Sequence, residues 1–283
     1  MGADDAGRRM DRILRRVLKE NGQGAVEAAL RKGLVRLNGK KAAASTTTSA
    51  GDVLSCASFL LAQDAGAAPK APPACPYPIV FQNEHLLFID KPAGVPVHGE
   101  GSAAEFFAGQ KTDSLAFVAA PLHRLDKWTS GLLAVSQSLA GARWFCQKIA
   151  SHEIKKFYWG IAAGRLEREE LWEDQIEVEA GGRKKTVGAK TVATPLKRGA
   201  FEGKEITLVQ YQIFTGRKRQ IRAQSAARGL ALLGDKTFGE PTPLGRFYLR
   251  AMRMEFPQNE LGLPSEIRAQ EPKDFLAFFE DAR

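Results

Sequence analysis

The sequence predicts an α+β protein: a large domain on a mixed, largely antiparallel, curved sheet flanked by helices and loops, with a small α+β module ahead of it. Three observations carry this. After residue 78 the predicted strands outnumber helices and often follow one another with no helix between, which argues against a doubly wound parallel sheet. Residues 62–77, AQDAGAAPKAPPACPY, are rich in Ala, Pro and Gly without periodicity, and read as a linker. A chain of 283 residues is long enough for one large domain and one small one. The expected division is 1–61 for the module, 62–77 for the linker and 78–283 for the large domain.

In the module, Met10, Ile13, Leu14, Val17 and Leu18 recur at helical spacing, with Arg9, Arg12, Arg15, Arg16 and Lys19 on the other faces. Asn21-Gly22 ends this helix. A second helix is expected from about Gly24 to Lys32, stopped by Gly33. Leu34–Leu37 reads as a strand, Asn38-Gly39 as a tight turn, and Val53-Leu54 as a further apolar run after Gly51-Asp52. The linker is expected to let this head swing relative to the body.

In the body, Ile79–Phe81 and Leu86–Ile89 form two strands around the turn Gln82-Asn83-Glu84, and Asp90–Gly94 makes a second turn. Further strands are expected at Leu132–Val135, Phe157–Ala162, Val187–Ala193 and Ile206–Ile213. Ala140–Ile149 and Gln220–Arg228 have helical character.

Net charge is +9, and residues 1–41 hold eleven Lys or Arg against five acids, so six of the nine excess charges sit in the head. A basic head on a nearly balanced body suits a polyanion such as nucleic acid. The candidate contacts are Arg12, Arg15, Arg16, Arg31, Lys32, Arg36, Lys40 and Lys41.

Three widely spaced cysteines without a CxxC, and four histidines without ligand spacing, argue against a disulfide framework or a structural zinc site. Reduced thiols in a cytoplasmic monomer are expected, with no metal and no cofactor. Apolar stretches fall far short of the roughly 18 residues a spanning helix needs, so no membrane segment is expected. No GxxxxGK phosphate loop occurs.

The segment that carries chemistry is PLHRLDKWTSGLLAV, from Pro121 to Val135. A charged turn directly before an apolar strand presents Asp126 at the strand entrance, with Thr129, Ser130 and Gly131 shaping the turn. Taken alone, Asp126 reads as a loop carboxylate paired with Arg124 or Lys127.

HRLDKWTSGLL resembles the catalytic signature of the RluA-type pseudouridine synthases, which act on large-subunit rRNA. His123 separates it from the sister family of the small subunit, which has Gly there. IVFQNEHLLFIDKPAGVPVHG is similar to that family's opening hairpin, and HEIKKFYWGIAAG to its second motif. TGRKRQIRAQSAARGLALLGDKTFG is similar to its third motif, and RFYLRAMRMEF to its closing strand. Over residues of about 8–60, the two basic helices, RKGLVRLNGKK and AGDVL resemble a small RNA-binding module first described in a ribosomal protein, the S-four type.

The resemblance implies an isomerase that needs no cofactor. Asp126 would attack the anomeric carbon or abstract a sugar proton. Arg222 would keep it ionised against desolvation, and Tyr158 would stack on the target base. Leu233 would pack near the Asp–Arg pair. His123, Arg124 and Arg217 would hold the substrate, Arg217 and Arg219 by touching its backbone. Two departures stand out: the third motif usually reads GRTHQIRVH, and here Arg219 and Gln224 replace its histidines. Lys127-Trp128 also replaces a charged pair, and Trp128 is expected at the pocket rim or on RNA. Two other readings stay open: a non-catalytic RNA-binding or ribosome-assembly protein on this fold, and an enzyme of the family acting on tRNA. A glycosidase-like hydrolase lacks an evident second acid.

Overall fold

Apolar residues at helical spacing build the core of the head. In the computed structural model, which describes residues 1–18, 22–60, 74–110, 114–180, 182–240 and 242–280, α1 (Met10–Val17) buries Met10, Ile13 and Leu14 completely. α2 (Gly22–Arg31) adds Val26, Ala29 and Leu30. Beside them lies an antiparallel sheet of β1 (Val35–Leu37), β2 (Lys40–Lys41) and β3 (Leu54–Cys56), with β1 central and Val35 in the core. Asn38 and Gly39 turn β1 into β2 with φ of 49° and 76°, as a two-residue hairpin requires. α2 begins two residues before the expected start, within the usual fraying of helix ends. Lys19 and Asn21 lie outside the described residues.

The body is a single nine-stranded sheet among the described residues. Its strands are β4 (Ile79–Gln82), β5 (Leu86–Lys91), β6 (Ser130–Ser136), β7 (Lys155–Ala163), β8 (Glu170–Ala180), β9 (Arg183–Phe201), β10 (Lys204–Ile213), β11 (Leu249–Glu255) and β12 (Glu266–Arg268). The order is β4-β5-β6-β11-β7-β10-β9-β8, with β12 on β11. The β6–β11 pairing is parallel and the others are antiparallel, as the α+β expectation has it. All seven residues of β6 are buried, the pattern of a strand covered on both faces. The helices are α3 (Ala103–Ala108), α4 (Leu139–Ala150), α5 (Gln220–Ala226) and α6 (Lys273–Leu276).

β8 has no counterpart among the expected strands. It is an edge strand whose charged residues alternate with Trp172, fully buried, and Leu171, 56% exposed, so pairing with β9 rather than apolar patterning defines it. α3, β12 and α6 are too short for periodicity to mark.

The head is tied to the body, contrary to the expected swing. Ala3–Asp5 form a 3₁₀ turn that buries Asp5. Its carboxylate accepts hydrogen bonds from Ser114 Oγ at 2.6 Å and from the Leu115 and Ala116 main-chain N–H groups at 3.0 Å each. The neighbouring Asp4 accepts from Leu139 N at 2.8 Å, in the first turn of α4, where the helix dipole favours an acid. Of the expected linker, residues 62–73 lie outside the described residues.

Candidate active site

Asp126 lies on the loop that runs from Pro121 into β6, and several groups fix that loop. Leu122 N donates to Ala134 O at 2.8 Å, folding the loop back along β6. His123 Nε2 accepts from Ala134 N at 3.0 Å, and its ring stacks on Phe145 of α4. Burial, with Lys156 nearby, pushes the His123 imidazole down to about 3, so it stays neutral. Its Nε2 is thus held by the backbone, while the residue also lines a cavity beside Asp126. From below, the buried Lys91 donates to the carbonyls of Pro92, Val95 and Lys127 at 2.8, 2.8 and 3.2 Å. Burial lowers the Lys91 ammonium to about 8, against the pull of Asp126 and Asp90.

Gly131 lets the loop enter the sheet. Its φ is 99°, and an added Cβ would sit 2.1 Å from Ala251 O on β11, so only glycine fits at this crossing.

α5 supplies the cation. Gln220 and Gln224, one turn apart, pin the helix to β9: Gln220 Nε2 donates to Thr191 Oγ1 at 2.9 Å, and Thr191 Oγ1 donates to Gln224 Oε1 at 2.7 Å. Gln224 Nε2 also reaches Asp174 Oδ2 on β8 at 2.7 Å. Gln224, which replaces a histidine of the resembled motif, is thus a buried anchor for the helix. Arg222, held on that helix, meets Asp126 Oδ2 through Nη1 at 3.2 Å. Its other face makes a fork with Asp235 at 2.6 and 2.7 Å, and Asp235 is fully buried. Phe247 and Phe238 lie against the guanidinium at 4.3 and 5.2 Å. Burial alone would weaken the charge on Arg222, but Asp235 and then Asp126 outweigh it.

Two cavities, of about 500 and 280 Å³, adjoin the Asp126–Arg222 pair and share it as lining. The Asp126 side chain is 19% exposed, neither sealed in the core nor out in solvent. Trp128 lines the larger cavity with its ring against Gly94, at the expected rim. Tyr158 lines the smaller one from β7, together with Leu122, Ile149, Ile213 and Leu249. Burial and then Asp126 raise the Tyr158 phenol above its ordinary range, so it stays protonated. Arg124 and Arg219 are exposed and line both cavities.

Asp126, Tyr158 and Arg222 therefore come together. Neither Arg124 nor Lys127 forms an ion pair with Asp126; Lys127 lies over the Trp128 ring instead. Arg217 lines the smaller cavity and spends its Nε on Gly188 O of β9 at 3.1 Å. Leu233 lines neither cavity and packs with Ile161, Ile206, Leu208 and Phe275, so its expected place beside the ion pair is corrected. Asp235, Lys91 and Lys156 were not expected here. Asp235 had a signal: a buried guanidinium presents a five-donor fork that one carboxylate does not fill. No group of three His, Cys, Asp or Glu side chains among the described residues is placed to hold a metal ion.

On the head, Arg12, Arg15, Arg31, Lys32, Arg36, Lys40 and Lys41 are exposed and Arg16 is half-buried. Arg36 stands directly opposite Lys41 across β1 and β2. Arg15 lies 3.8 Å from Asp11.

A model of the RNA pseudouridylate synthase family matches residues 85–227, half of the chain. The ribosomal large subunit pseudouridine synthase C of Vibrio vulnificus (strain CMCP6) is 28% identical over 296 residues, covering 94% of this chain and 90% of that protein. The tRNA pseudouridine synthase C of Vibrio cholerae serotype O1 (strain ATCC 39315 / El Tor Inaba N16961) is 30% identical, covering 69% of this chain and 85% of that protein. Among solved structures, human RNA pseudouridylate synthase domain containing 4 shares the fold, with a TM-score of 0.57 at 21% identity over 70% of this chain and 90% of that one.

Proposed function

Given that the chain belongs to the RNA pseudouridylate synthase family and is an isomerase acting on RNA, we propose that it converts uridines of large-subunit rRNA to pseudouridine with Asp126 as the reacting carboxylate. One observation carries this reading. Asp126 is held 3.2 Å from a buried guanidinium where two cavities meet, one of them walled by Tyr158.

The reaction needs no more than this chain offers. The bond from C1′ to N1 of uridine breaks, the base turns, and C5 bonds to C1′ while its proton leaves. Asp126 either adds to C1′ as a nucleophile or removes a sugar proton. Both routes need the carboxylate ionised in a dry pocket, which favours a permanently charged Arg222 beside it. Tyr158, a protonated phenol, offers its ring to the base. Flipping the nucleotide out costs a few kcal/mol, and the exposed Arg124 and Arg219 with the half-buried Lys218 at the cavity mouths offset part of it by meeting phosphates.

We assign residues 1–61 to an RNA-binding module of the S-four type and 78–283 to the catalytic domain, in a monomer. Like charges directly opposite on paired strands destabilise a sheet, so Arg36 facing Lys41 fits a surface that meets a polyanion. The rRNA substrate rests on the length of the match to the large-subunit enzyme, and tRNA on the shorter match to the tRNA enzyme. Mapping pseudouridines in a strain that lacks this protein separates them. Loss from large-subunit rRNA supports the reading, whereas loss from tRNA alone overturns the substrate assignment.

A further inference from the structure

Lys156 is a largely buried residue whose ammonium opens on the smaller cavity and, among the described residues, has no counter-ion. It is 8% exposed and lines the smaller cavity. Among the described residues its ammonium makes neither a hydrogen bond nor an ion pair, whereas its neighbour Lys155 reaches Glu255 at 3.3 Å. Lys156 and Tyr158 are two apart on β7, so they project from the same face. The amine lies beneath the turn at Gly216, 3.5 Å from where a Cβ there would stand. Its charge also helps to hold the nearby His123 neutral.

An unpaired buried charge destabilises a protein on its own. The chemistry proposed for this site supplies what is missing. When C1′–N1 breaks, the bonding pair leaves with the base, and the charge spreads from N1 to O2 and O4. Of the two buried cations lining the cavity, Arg222 is neutralised by Asp235 and Asp126. Lys156 is not neutralised. Its surroundings, Tyr158, Leu122, Ile149, Ile213 and Leu249, suit a flat base rather than a phosphate.

We propose that Lys156 binds a carbonyl oxygen of the flipped uracil and stabilises the negative charge the base acquires as it detaches from the ribose. This rests on the isomerase reading. The base later returns through C5, loses the C5 proton and gains one at N1, so product and substrate are isomers. A cation fixed in the cavity wall acts more strongly on the detached anion than on the neutral base, which is how it accelerates the step.

The test compares wild type, Lys156→Met and Lys156→Arg on one RNA that the wild type modifies, in single turnover, with RNA affinity and melting temperature measured in parallel. Lys156→Met should slow conversion on the order of 100-fold, the usual effect of losing one such donor. Its RNA affinity should stay within about twofold, because the contact forms as charge develops. Lys156→Arg should recover part of the rate, and Lys156→Met should melt no lower than wild type, since only an unpaired charge is lost. With 5-fluorouridine at the target, whose base leaves more easily as an anion but has no C5 proton to lose, disappearance of the original C1′–N1 nucleoside is followed instead of product formation, and the loss in Lys156→Met should shrink. A rate within about threefold of wild type overturns the proposal. So does an affinity falling in step with the rate, a lowered melting temperature, or an equal loss on both bases. An inactive wild type on every RNA would instead overturn the isomerase reading beneath it.

Discussion

Arg222 is bound more tightly by Asp235 than by Asp126: two hydrogen bonds of 2.6 and 2.7 Å run to the first, and one of 3.2 Å to the second. The fork to Asp235 fixes the guanidinium, and the longer contact leaves an Asp126 oxygen accessible from the cavities. Asp235 is in turn oriented by the Thr237 N–H at 3.0 Å.

Asp235→Ala should therefore act on stability and activity together. Removing one partner of a buried ion pair costs about 3–5 kcal/mol, and Asp126 would lose a fixed neighbour. Chemical denaturation and pseudouridine formation are the measurements. Unchanged values for both would show that Asp126 alone suffices to hold Arg222.

Asp5 should govern docking of the head. Burial would raise its pKa, but hydrogen bonds from Ser114, Leu115, Gly2 and Ala116 together lower it below the ordinary 3.8. A lowered carboxylate contributes stability above its unfolded value and loses it as pH falls through the folded one, so docking should weaken below pH 3.8. Asp5→Ala should cost about 2 kcal/mol of docking at neutral pH, by loss of charge-assisted hydrogen bonds. Limited proteolysis between head and body reads this out, and unchanged cleavage would refute the latch.

His123 predicts an acid limb. Its folded pKa of about 3 lies below the ordinary 6.5, so the unfolded chain takes up the proton first and stability falls from pH 6.5 towards 3. His123→Ala should flatten that part of a stability–pH curve while lowering stability at neutral pH, since Ala134 N loses its acceptor. A slope unaltered by the substitution would contradict the buried, neutral imidazole.

Gln224→Ala should loosen α5. The substitution removes the acceptor of the Thr191 hydroxyl proton and one of two donors to Asp174 Oδ2, at about 1 kcal/mol for each hydrogen bond lost, while Gln220 and Arg228 keep their contacts to these groups at 2.9 and 3.0 Å. Activity should fall further than Asp126–Arg222 contact alone would require, because the helix carries Arg222. Full activity with normal stability would count against the anchor.

Much of this architecture can be read in the chain. The apolar runs of β5 and β6, the helical spacing of α1 and α4 and the Asn38-Gly39 turn announce themselves by period and turn chemistry. β8 does not, because an edge strand is defined by its partner. At the site, the grouping of Asp126, Tyr158 and Arg222 is legible only through resemblance, since 96 residues separate the acid from its cation. Leu233 shows the limit of that route. Leu232 belongs to the main core and Leu233 to the cluster on β10, so neighbouring residues serve different packing layers. Asp235 is signalled only indirectly, by the unfilled donors of a buried Arg222, and Lys156 not at all, because their meaning comes from burial.

The central claim is tested most directly by tritium release from RNA labelled at carbon five of uridine, with RNA binding measured on the same samples. Wild type should release tritium and Asp126→Ala should release none while both bind RNA alike. Release by the Asp126→Ala protein at the wild-type rate would contradict the account.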